Sequence, residues 1–369
     1  MVALRRDLHM HPELSWVEHR TTEKVADLFT GPGLTVTRLE STGLVVDIGR
    51  GPHKVALRAD LDALPVSDLT DDPWASTVDG VAHACGHDLH TAVLVGAGLA
   101  LAEVGEALPQ GVRLIFQPAE ESMPGGAMQL IDHGVLDNVA VIFGLHADPS
   151  LEVGDVGLRV GPLTGAADAV DITLAGRGGH TSRPHLTEDL TFALGKIVTE
   201  LPAILSRRMD PRAGVSVVWG SLRAGSTNNV IPAVGEIKGT VRMLDDVSWD
   251  GAGALVTELI DQIVAPYGVT AVVNYRQGVP PVVNDATATE ALSAAARVGG
   301  ATQVPTQQSL GGEDFAWYLR RVRGAMARLG TRSPGGPVLD LHQGTLRIDD
   351  DAVSIGSRLL ALAAVGTVD

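Results

Sequence analysis

Side chains that can hold a metal ion or move a proton stand directly after apolar stretches of this sequence. They are Asp60 and Asp62 after residues 55–59, Glu120 and Glu121 after residues 114–119, and His146 after residues 141–145. In an open α/β sheet, the carboxyl ends of the strands open onto a common crevice in which ligands bind. We therefore expect these carboxylates and this imidazole to meet at one edge of a sheet.

A cysteine and a histidine on either side of a glycine add two further candidate ligands. Cys85 and His87 would face different ways on a helix, but a loop turned by Gly86 lets both reach one point. A lone buried cysteine is more often a small hydrophobic residue. Thiolate, imidazole and carboxylate together are the usual ligands of zinc and similar ions. With the glutamate pair, His146 and a late His342, the set predicts a metal site.

The two adjacent glutamates can serve different functions. Consecutive residues of an extended chain point to opposite sides, so one carboxylate can bind metal while the other faces a bound water. An exposed acidic pair is the ordinary alternative. The position of Glu120 and Glu121 after an apolar strand and before Pro124 favours the functional interpretation.

The elements that must position these residues alternate between helix and strand. The pattern predicts helices at residues 17–29, 88–104 and 127–135, and strands at 44–48, 55–57, 112–116 and 139–143. Such alternation with short connections predicts an α/β fold with a mostly parallel sheet.

A second unit is expected at residues 165–277. Its predicted order is strand 169–175, helix 186–205, strands 215–222 and 236–244, helix 251–265 and strand 269–275. This βαββαβ order is that of a ferredoxin-like sandwich. The sequence therefore predicts a discontinuous catalytic domain, residues 1–164 and 278–369, with residues 165–277 inserted in it.

Composition excludes several classes of protein. The 369 residues are 45% hydrophobic, and their formal net charge is −16 without a basic run, which disfavours a nucleic-acid partner. A single cysteine excludes an internal disulfide and suits a reducing, cytoplasmic location. No apolar stretch is long enough for a membrane span, and the first residues do not read as a signal peptide.

Eight short motifs occur in a characteristic order. They are RRDLH at 5–9, HPEL at 11–14, RADLDALP at 58–65, HACGHD at 83–88, QPAEE at 117–121, GGH at 178–180, NVIP at 229–232 and EDF at 313–315. In this respect the chain resembles the aminoacylase/carboxypeptidase metallopeptidase family. The resemblance is to the branch of hippurate hydrolases, N-acyl-amino-acid amidohydrolases and auxin-conjugate hydrolases, and it covers nearly the whole chain.

The resemblance implies specific roles for several side chains of this sequence. The expected ligands of two divalent ions are Cys85, His87, Glu121, His146 and His342. Glu120 would be the general base, and Asp62 would support the metal ligands. The inserted domain would be a lid and the surface of a homodimer, with His180 reaching the substrate in its own or the partner subunit's site. Asn229 would help to hold the substrate.

The expected activity is hydrolysis of the amide bond of a small N-acyl amino acid. Zinc or manganese is the expected metal, with cobalt or nickel as alternatives. A dipeptidase or aminopeptidase on the same scaffold and a non-catalytic homologue remain open, whereas a zinc deaminase would need a second cysteine. Arg177, Arg223 and Arg242 are candidates to bind a substrate carboxylate, with surface arginines as the alternative. His83 and His90 are expected to support the site and not to ligate.

Overall fold

The computed structural model describes residues 1–366. Within that range, the strands are β1 (Leu34–Arg38), β2 (Leu44–Ile48), β3 (His53–Asp60), β4 (Gly111–Gln117), β5 (Val141–Glu152), β6 (Asp155–Leu158), β7 (Gly161–Pro162), β8 (Ala167–Ala175), β9 (Gly179–His180), β10 (Ser216–Ala224), β11 (Val230–Ile231), β12 (Val234–Arg242), β13 (Thr270–Val279), β14 (Val283–Asn284), β15 (Thr302–Pro305) and β16 (Arg323–Arg332). The α-helices are α1 (Val2–Met10), α2 (His19–Ala26), α3 (His87–Glu103), α4 (Gly126–Asp132), α5 (Leu190–Arg208), α6 (Asp246–Val264), α7 (Ala286–Gly299), α8 (Ala316–Leu319) and α9 (Asp351–Gly366).

Two compact units divide the chain. The first contains Met1–Leu163, Val282–Gln307 and the chain from Asp314 onward, and the second contains Thr164–Pro281 and Gln308–Glu313. The sequence predicts an inserted segment at residues 165–277. The second unit extends slightly beyond these borders and also contains Gln308–Glu313, which no local pattern places with it.

An eight-stranded mixed sheet forms the centre of the first unit. Its strand order is β1-β2-β4-β3-β5-β16-β6-β15, and the four central strands β4, β3, β5 and β16 run parallel. Apolar side chains cover both faces, with α3, α7 and α9 contributing to one core and α4 and α8 to the other. Burial on both faces explains why these strands read as continuous apolar runs. The expected α/β fold with a mostly parallel central sheet is confirmed.

The strand order brings the chemically active segments to one edge. β3 lies between β4 and β5, and all three run parallel, so their carboxyl ends lie side by side. Asp60 is the last residue of β3, Gln117 ends β4, and His146 lies within β5. The loops that follow β3 and β4 therefore begin next to His146.

The second unit has the element order β8-α5-β10-β12-α6-β13. Its antiparallel sheet has the order β10-β12-β8-β13. Burial alternates along β8, which places one face of the strand against a core. The buried positions of α5 follow the helical repeat: Leu190, Ala193, Leu194, Ile197, Leu201 and Leu205. A short ribbon of β9 and β11 stands apart from this sheet.

Among residues 1–366, none of the helices has both the length and the apolar character that crossing a membrane requires.

Candidate metal centre

The five side chains expected as metal ligands lie together in the first unit. Potential ligand atoms of Cys85, His87 and His146 lie within 4.8 Å of one another, and so do those of Cys85, Glu121 and His342. Cys85 belongs to both groups and joins them. His87 also belongs to a third group with Glu120 and Glu121. The expected general base is thus beside the expected ligands.

A left-handed glycine starts helix α3 between the cysteine and the histidine. Gly86 is the N-cap of α3 and has a φ of 85°. A Cβ atom there would lie 2.9 Å from the Cβ of Ala147 and 3.0 Å from Cδ1 of Ile348. Glycine satisfies both the backbone conformation and this close approach. The turn lets Cys85 and His87 face the same point.

Hydrogen bonds on one ring nitrogen orient two of the histidines. His87 Nδ1 lies 2.9 Å from the carbonyl oxygen of Asp62, and His146 Nδ1 lies 2.8 Å from that of Ala147. Each Nδ1–H therefore donates, which leaves the lone pair on Nε2. His146 Nε2 lies 3.6 Å from Cys85 Sγ. Both rings thus present a metal-binding nitrogen to the cluster.

Asp62 holds the backbone of the glutamate pair. Its two carboxylate oxygens each accept a backbone N–H, from Glu120 and from Glu121, both at 3.0 Å. Ser15 donates a further hydrogen bond of 2.7 Å. Ala119, just before the pair, has a φ of 55°, an uncommon conformation for a residue with a side chain. Asp62 therefore stabilises the turn that aims both carboxylates.

The last candidate ligand is also held in a left-handed conformation. His342 has a φ of 62°, and its N–H donates to the carbonyl oxygen of Ala84 at 2.7 Å, next to Cys85. Its Nε2 lies 3.3 Å from Glu121 Oε1. Contact with this carboxylate raises the pKa of His342 above its usual value, although burial opposes the shift.

The donor atoms fit divalent cations. His87 Nε2 and Glu121 Oε1 are buried, lie 3.9 Å apart, and have no hydrogen-bond partner in the described chain. Native proteins rarely leave buried polar atoms unpaired, and a cation between these two would satisfy both. Burial raises the pKa of the Cys85 thiol to about 12, so a thiolate there requires positive charge nearby.

The surroundings of His87 also favour a cation. Burial by itself lowers the pKa of this ring, but the buried Asp60 carboxylate, 3.8 Å from Nδ1, acts together with Cys85 and Asp62 to outweigh burial and holds the pKa well above its usual value. The negative field that favours a proton on the ring also favours a metal ion beside it.

His90 and Asp60 form a hydrogen-bonded support beside the site, with partners that the sequence does not predict. His90 Nε2 accepts the N–H of Ala147 at 2.8 Å, so its Nδ1–H donates to Asp60 Oδ1 at 2.6 Å. Asp60 also pairs with the buried Arg58 at 2.7 Å. Both nitrogens of His90 are engaged, which agrees with a supporting role. Alternation along β3 places Arg58 and Asp60 on one face and could have signalled this pair.

The two residues expected to contact substrate lie together in the second unit. His180 pairs with Val230 across the β9–β11 ribbon, and the N–H of Thr181 donates to the carbonyl of Asn229. His180 Nδ1 accepts the N–H of Ser182 at 3.1 Å, which leaves the ring proton on Nε2. Both His180 and Asn229 are exposed.

Two of the three arginines proposed for a substrate carboxylate have other contacts. The guanidinium of Arg242 donates to the carbonyl oxygen of Leu310. Arg223 is 79% exposed and lies 3.9 Å from Glu236.

Known proteins resemble this chain over most of its length. The model of "Peptidase family M20/M25/M40" matches residues 56–365. A protein of Rhodococcus jostii named for glutamate–cysteine ligase 2-3 is 47% identical over 98% of this chain, which spans 46% of that protein. N-acetylcysteine deacetylase of Bacillus subtilis is 38% identical, over 99% of this chain and 96% of its own length.

A solved structure resembles the chain over nearly its full length. It is a Bacillus subtilis protein described as a dinuclear metal-binding peptidase from family M20. The two share 35% identity with a TM-score of 0.86, and the match covers 99% of this chain and 96% of the other.

Proposed function

Because this chain belongs to peptidase family M20/M25/M40 and is a hydrolase of amide bonds, we propose that it is a metal-dependent amidohydrolase that cleaves N-acyl amino acids. The observation that carries the proposal is the convergence of Cys85, His87, Glu121, His146 and His342, with Glu120 beside them. A protein that only binds a metal ion has no need of the additional carboxylate.

The proposed ligands of two divalent ions are these five side chains. Cys85, His87 and His146 form one group of donors, and Cys85, Glu121 and His342 form the other. When bound, the ions polarise the amide carbonyl and lower the pKa of water. The soft thiolate and the imidazoles favour zinc, whereas mixed nitrogen and oxygen donors also suit manganese, cobalt or nickel.

Glu120 is the proposed proton carrier of the reaction. Its Oε2 lies 3.9 Å from His87 Nε2, and its side chain is almost fully buried. Its backbone N–H donates to Asp62, which fixes the main chain from which the carboxylate extends. Glu120 would accept a proton from the attacking water and then donate it to the leaving amine.

We propose that residues of the second unit contact the substrate and form the dimer interface. His180 carries its ring proton on Nε2, the donor that a developing oxyanion requires. Asn229 would hold the substrate beside it. From the resemblance of the motifs, we propose that residues 165–277 form a lid and the surface of a homodimer. A reducing, cytoplasmic location suits a thiolate ligand at Cys85.

The substrate class is proposed from the relatives' names and the site chemistry. The Bacillus subtilis relative that matches over nearly its full length is named for deacetylation of N-acetylcysteine. N-acetylcysteine therefore belongs among the first substrates to be tested. Dipeptides are the competing class, because the similar solved structure is described as a peptidase.

Metal removal and substrate comparison test the proposal together. We expect the chelated protein to be inactive and to regain hydrolysis of N-acetyl or N-benzoyl amino acids when one of zinc, manganese, cobalt or nickel is returned. Dipeptides should be cleaved more slowly than N-acyl amino acids under the same conditions. Turnover by the fully chelated protein, or faster cleavage of dipeptides, would contradict the proposal.

A substitution of Cys85 tests whether this residue is a metal ligand. Cys85→Ala should lower the molar ratio of metal to protein, because Cys85 belongs to both ligand groups. Metal content is measured by mass spectrometry after dialysis. An unchanged ratio would remove Cys85 from the proposed ligands.

A further inference from the structure

One arginine projects from the central sheet beside a proposed metal ligand. Strand β16 runs parallel to β5, and Arg328 is aligned with His146 in the register of the two strands. Aligned residues of neighbouring strands point to the same face, and the strands lie about 4.8 Å apart. The side chains of Arg328 and His146 therefore lie next to each other on one face of the sheet.

This arginine is buried and lacks a partner. Arg328 is 9% exposed, and no hydrogen bond or ion pair joins its guanidinium to another group in residues 1–366. Arginine is rarely so buried without a partner. The guanidinium nitrogens are not among the fully buried unpaired atoms of the described chain, so they can be reached from solvent although most of the residue is covered. By contrast, buried Arg58 pairs with Asp60 and Asp314, and Arg332, farther along β16, pairs with Glu152 at 3.0 Å.

The surrounding residues confine the stem of the side chain. Gly157 of β6 is aligned with Arg328 on the side away from His146. A Cβ atom at Gly157 would lie 3.2 Å from the Cβ of Arg328 and 2.8 Å from that of Thr306. The absence of a side chain at Gly157 therefore leaves room for the stem of Arg328 on this side.

We propose that Arg328 binds a carboxylate of the substrate next to the metal centre. The inference rests on the proposed function, since every N-acyl amino acid carries an α-carboxylate. A chain with a net charge of −16 needs local positive charge to hold an anion. A guanidinium pairs with a carboxylate through two parallel hydrogen bonds, and it does so most strongly when water is excluded.

Arg328 suits this role better than the arginines suggested by the sequence alone. Arg223 is largely exposed to solvent, and Arg242 already donates to a backbone carbonyl. Of these three arginines, Arg328 is the one that is buried, makes no hydrogen bond or ion pair in residues 1–366 and lies beside a proposed ligand.

A pair of substrates that differ in one charge tests the proposal. N-acetyl-L-methionine and its α-carboxamide share the scissile bond, but only the first carries the carboxylate. For Arg328→Met we expect kcat/KM to fall about 10- to 100-fold on the acid and to change little on the carboxamide. Arg328→Lys keeps the charge without the paired geometry and should retain part of the preference for the acid.

The matched control lies on the same strand. Arg332→Met removes an arginine that is already paired with Glu152, so the ratio of kcat/KM for acid and carboxamide should stay as in the unmodified protein. Equal losses on both substrates for Arg328→Met would overturn the proposal, and so would an unchanged preference for the acid.

Binding to the metal-free protein provides a readout without turnover. Calorimetric titration with N-acetyl-L-methionine should show weaker binding to Arg328→Met than to the unmodified protein. In separate samples reloaded with metal, the metal content of Arg328→Met and of the unmodified protein should be the same, because a loss would mean that Arg328 acts on the ligands and not on the substrate, which would refute the inference. If the unmodified protein hydrolysed neither substrate with any metal, the proposed function would fail, whereas the binding difference would still test Arg328.

Discussion

Glu120 and Glu121 differ in their surroundings although they are neighbours in the chain. Asp62 accepts the N–H of both, so one carboxylate sets the position of two others. Glu121 Oε1 is buried near the ring nitrogens of His87 and His342, as a ligand would be. Glu120 Oε2 approaches the same His87 nitrogen, at 3.9 Å. A proton acceptor and a metal ligand can therefore share one short turn.

Glu120→Gln should separate catalysis from metal binding. Glutamine keeps the shape of the side chain and the backbone contact with Asp62, but it cannot accept a proton from water. We expect kcat to fall about 10²- to 10⁴-fold, with metal content unchanged. Glu106→Gln, at a glutamate side chain that is 88% exposed, is the matched control and should leave both quantities unchanged. Turnover near the normal rate would exclude Glu120 as the base.

Helix α3 organises the site through its first turn. Gly86 starts the helix in a left-handed conformation, and His87 follows at once. One turn later, His90 bonds Asp60 at the end of β3 and the backbone of Ala147 in β5. The helix is thereby attached to two strands that carry other parts of the site. A shift of this turn would move several donors together.

Gly86→Ala should reduce metal binding, because the added Cβ both strains the backbone and crowds its neighbours. A left-handed alanine costs about 1–2 kcal/mol, and the new Cβ would also press on Ala147 and Ile348. Gly51→Ala is the matched control, because Gly51 has a φ of 84° but no atom within 4 Å of the added Cβ. We expect both variants to lose stability in thermal unfolding and only Gly86→Ala to lose metal. Equal metal contents would contradict this expectation.

The first unit is built from segments that are far apart in the chain. Arg5 of α1 pairs with Asp88 of α3 at 3.2 Å and with Asp350, just before α9, at 2.6 Å. His9 of α1 contacts Asp88 at 2.9 Å and Asp68 at 3.3 Å. These ion pairs connect the two ends of the described chain to the helix that starts at the metal centre.

The contacts of His9 predict a fall in stability at alkaline pH. Burial alone would lower its pKa, but Asp88 and Asp68 outweigh burial and raise it from 6.5 to about 9. The folded state therefore holds this proton more tightly than the unfolded state. Its contribution is complete below the unfolded pKa of 6.5 and is lost as the pH rises through about 9, with an upper size of about 3 kcal/mol.

Denaturant unfolding between pH 6 and pH 10 checks the expectation. The free energy of unfolding should decline less with pH in His9→Gln than in the unmodified protein. His185→Gln, at an exposed histidine of the second unit, should follow the unmodified protein. Parallel curves for His9→Gln and the unmodified protein would show that His9 does not carry the effect.

Local sequence patterns predict an element well where the residues of that element are enough to determine its structure. The strand expected at residues 44–48 coincides with β2, and the helix expected at 88–104 is α3, His87–Glu103. The helix expected at 17–29 is shorter, His19–Ala26, and α1 was not predicted. The strand expected at 139–143 extends to Glu152 as β5, because pairing with β16 continues along it. Such lengthening depends on a partner almost two hundred residues away.

The family, which is confirmed, and the inventory of donor atoms follow from residue types at short spacings, so both can be predicted without the fold. The tertiary structure alone decided which nitrogen of His87 and His146 is left to bind metal, since a carbonyl oxygen next to each ring selects the tautomer. It also decided that Arg328 lies beside His146. That neighbour comes from the register of two strands, and no local pattern encodes the register of segments that meet only on folding.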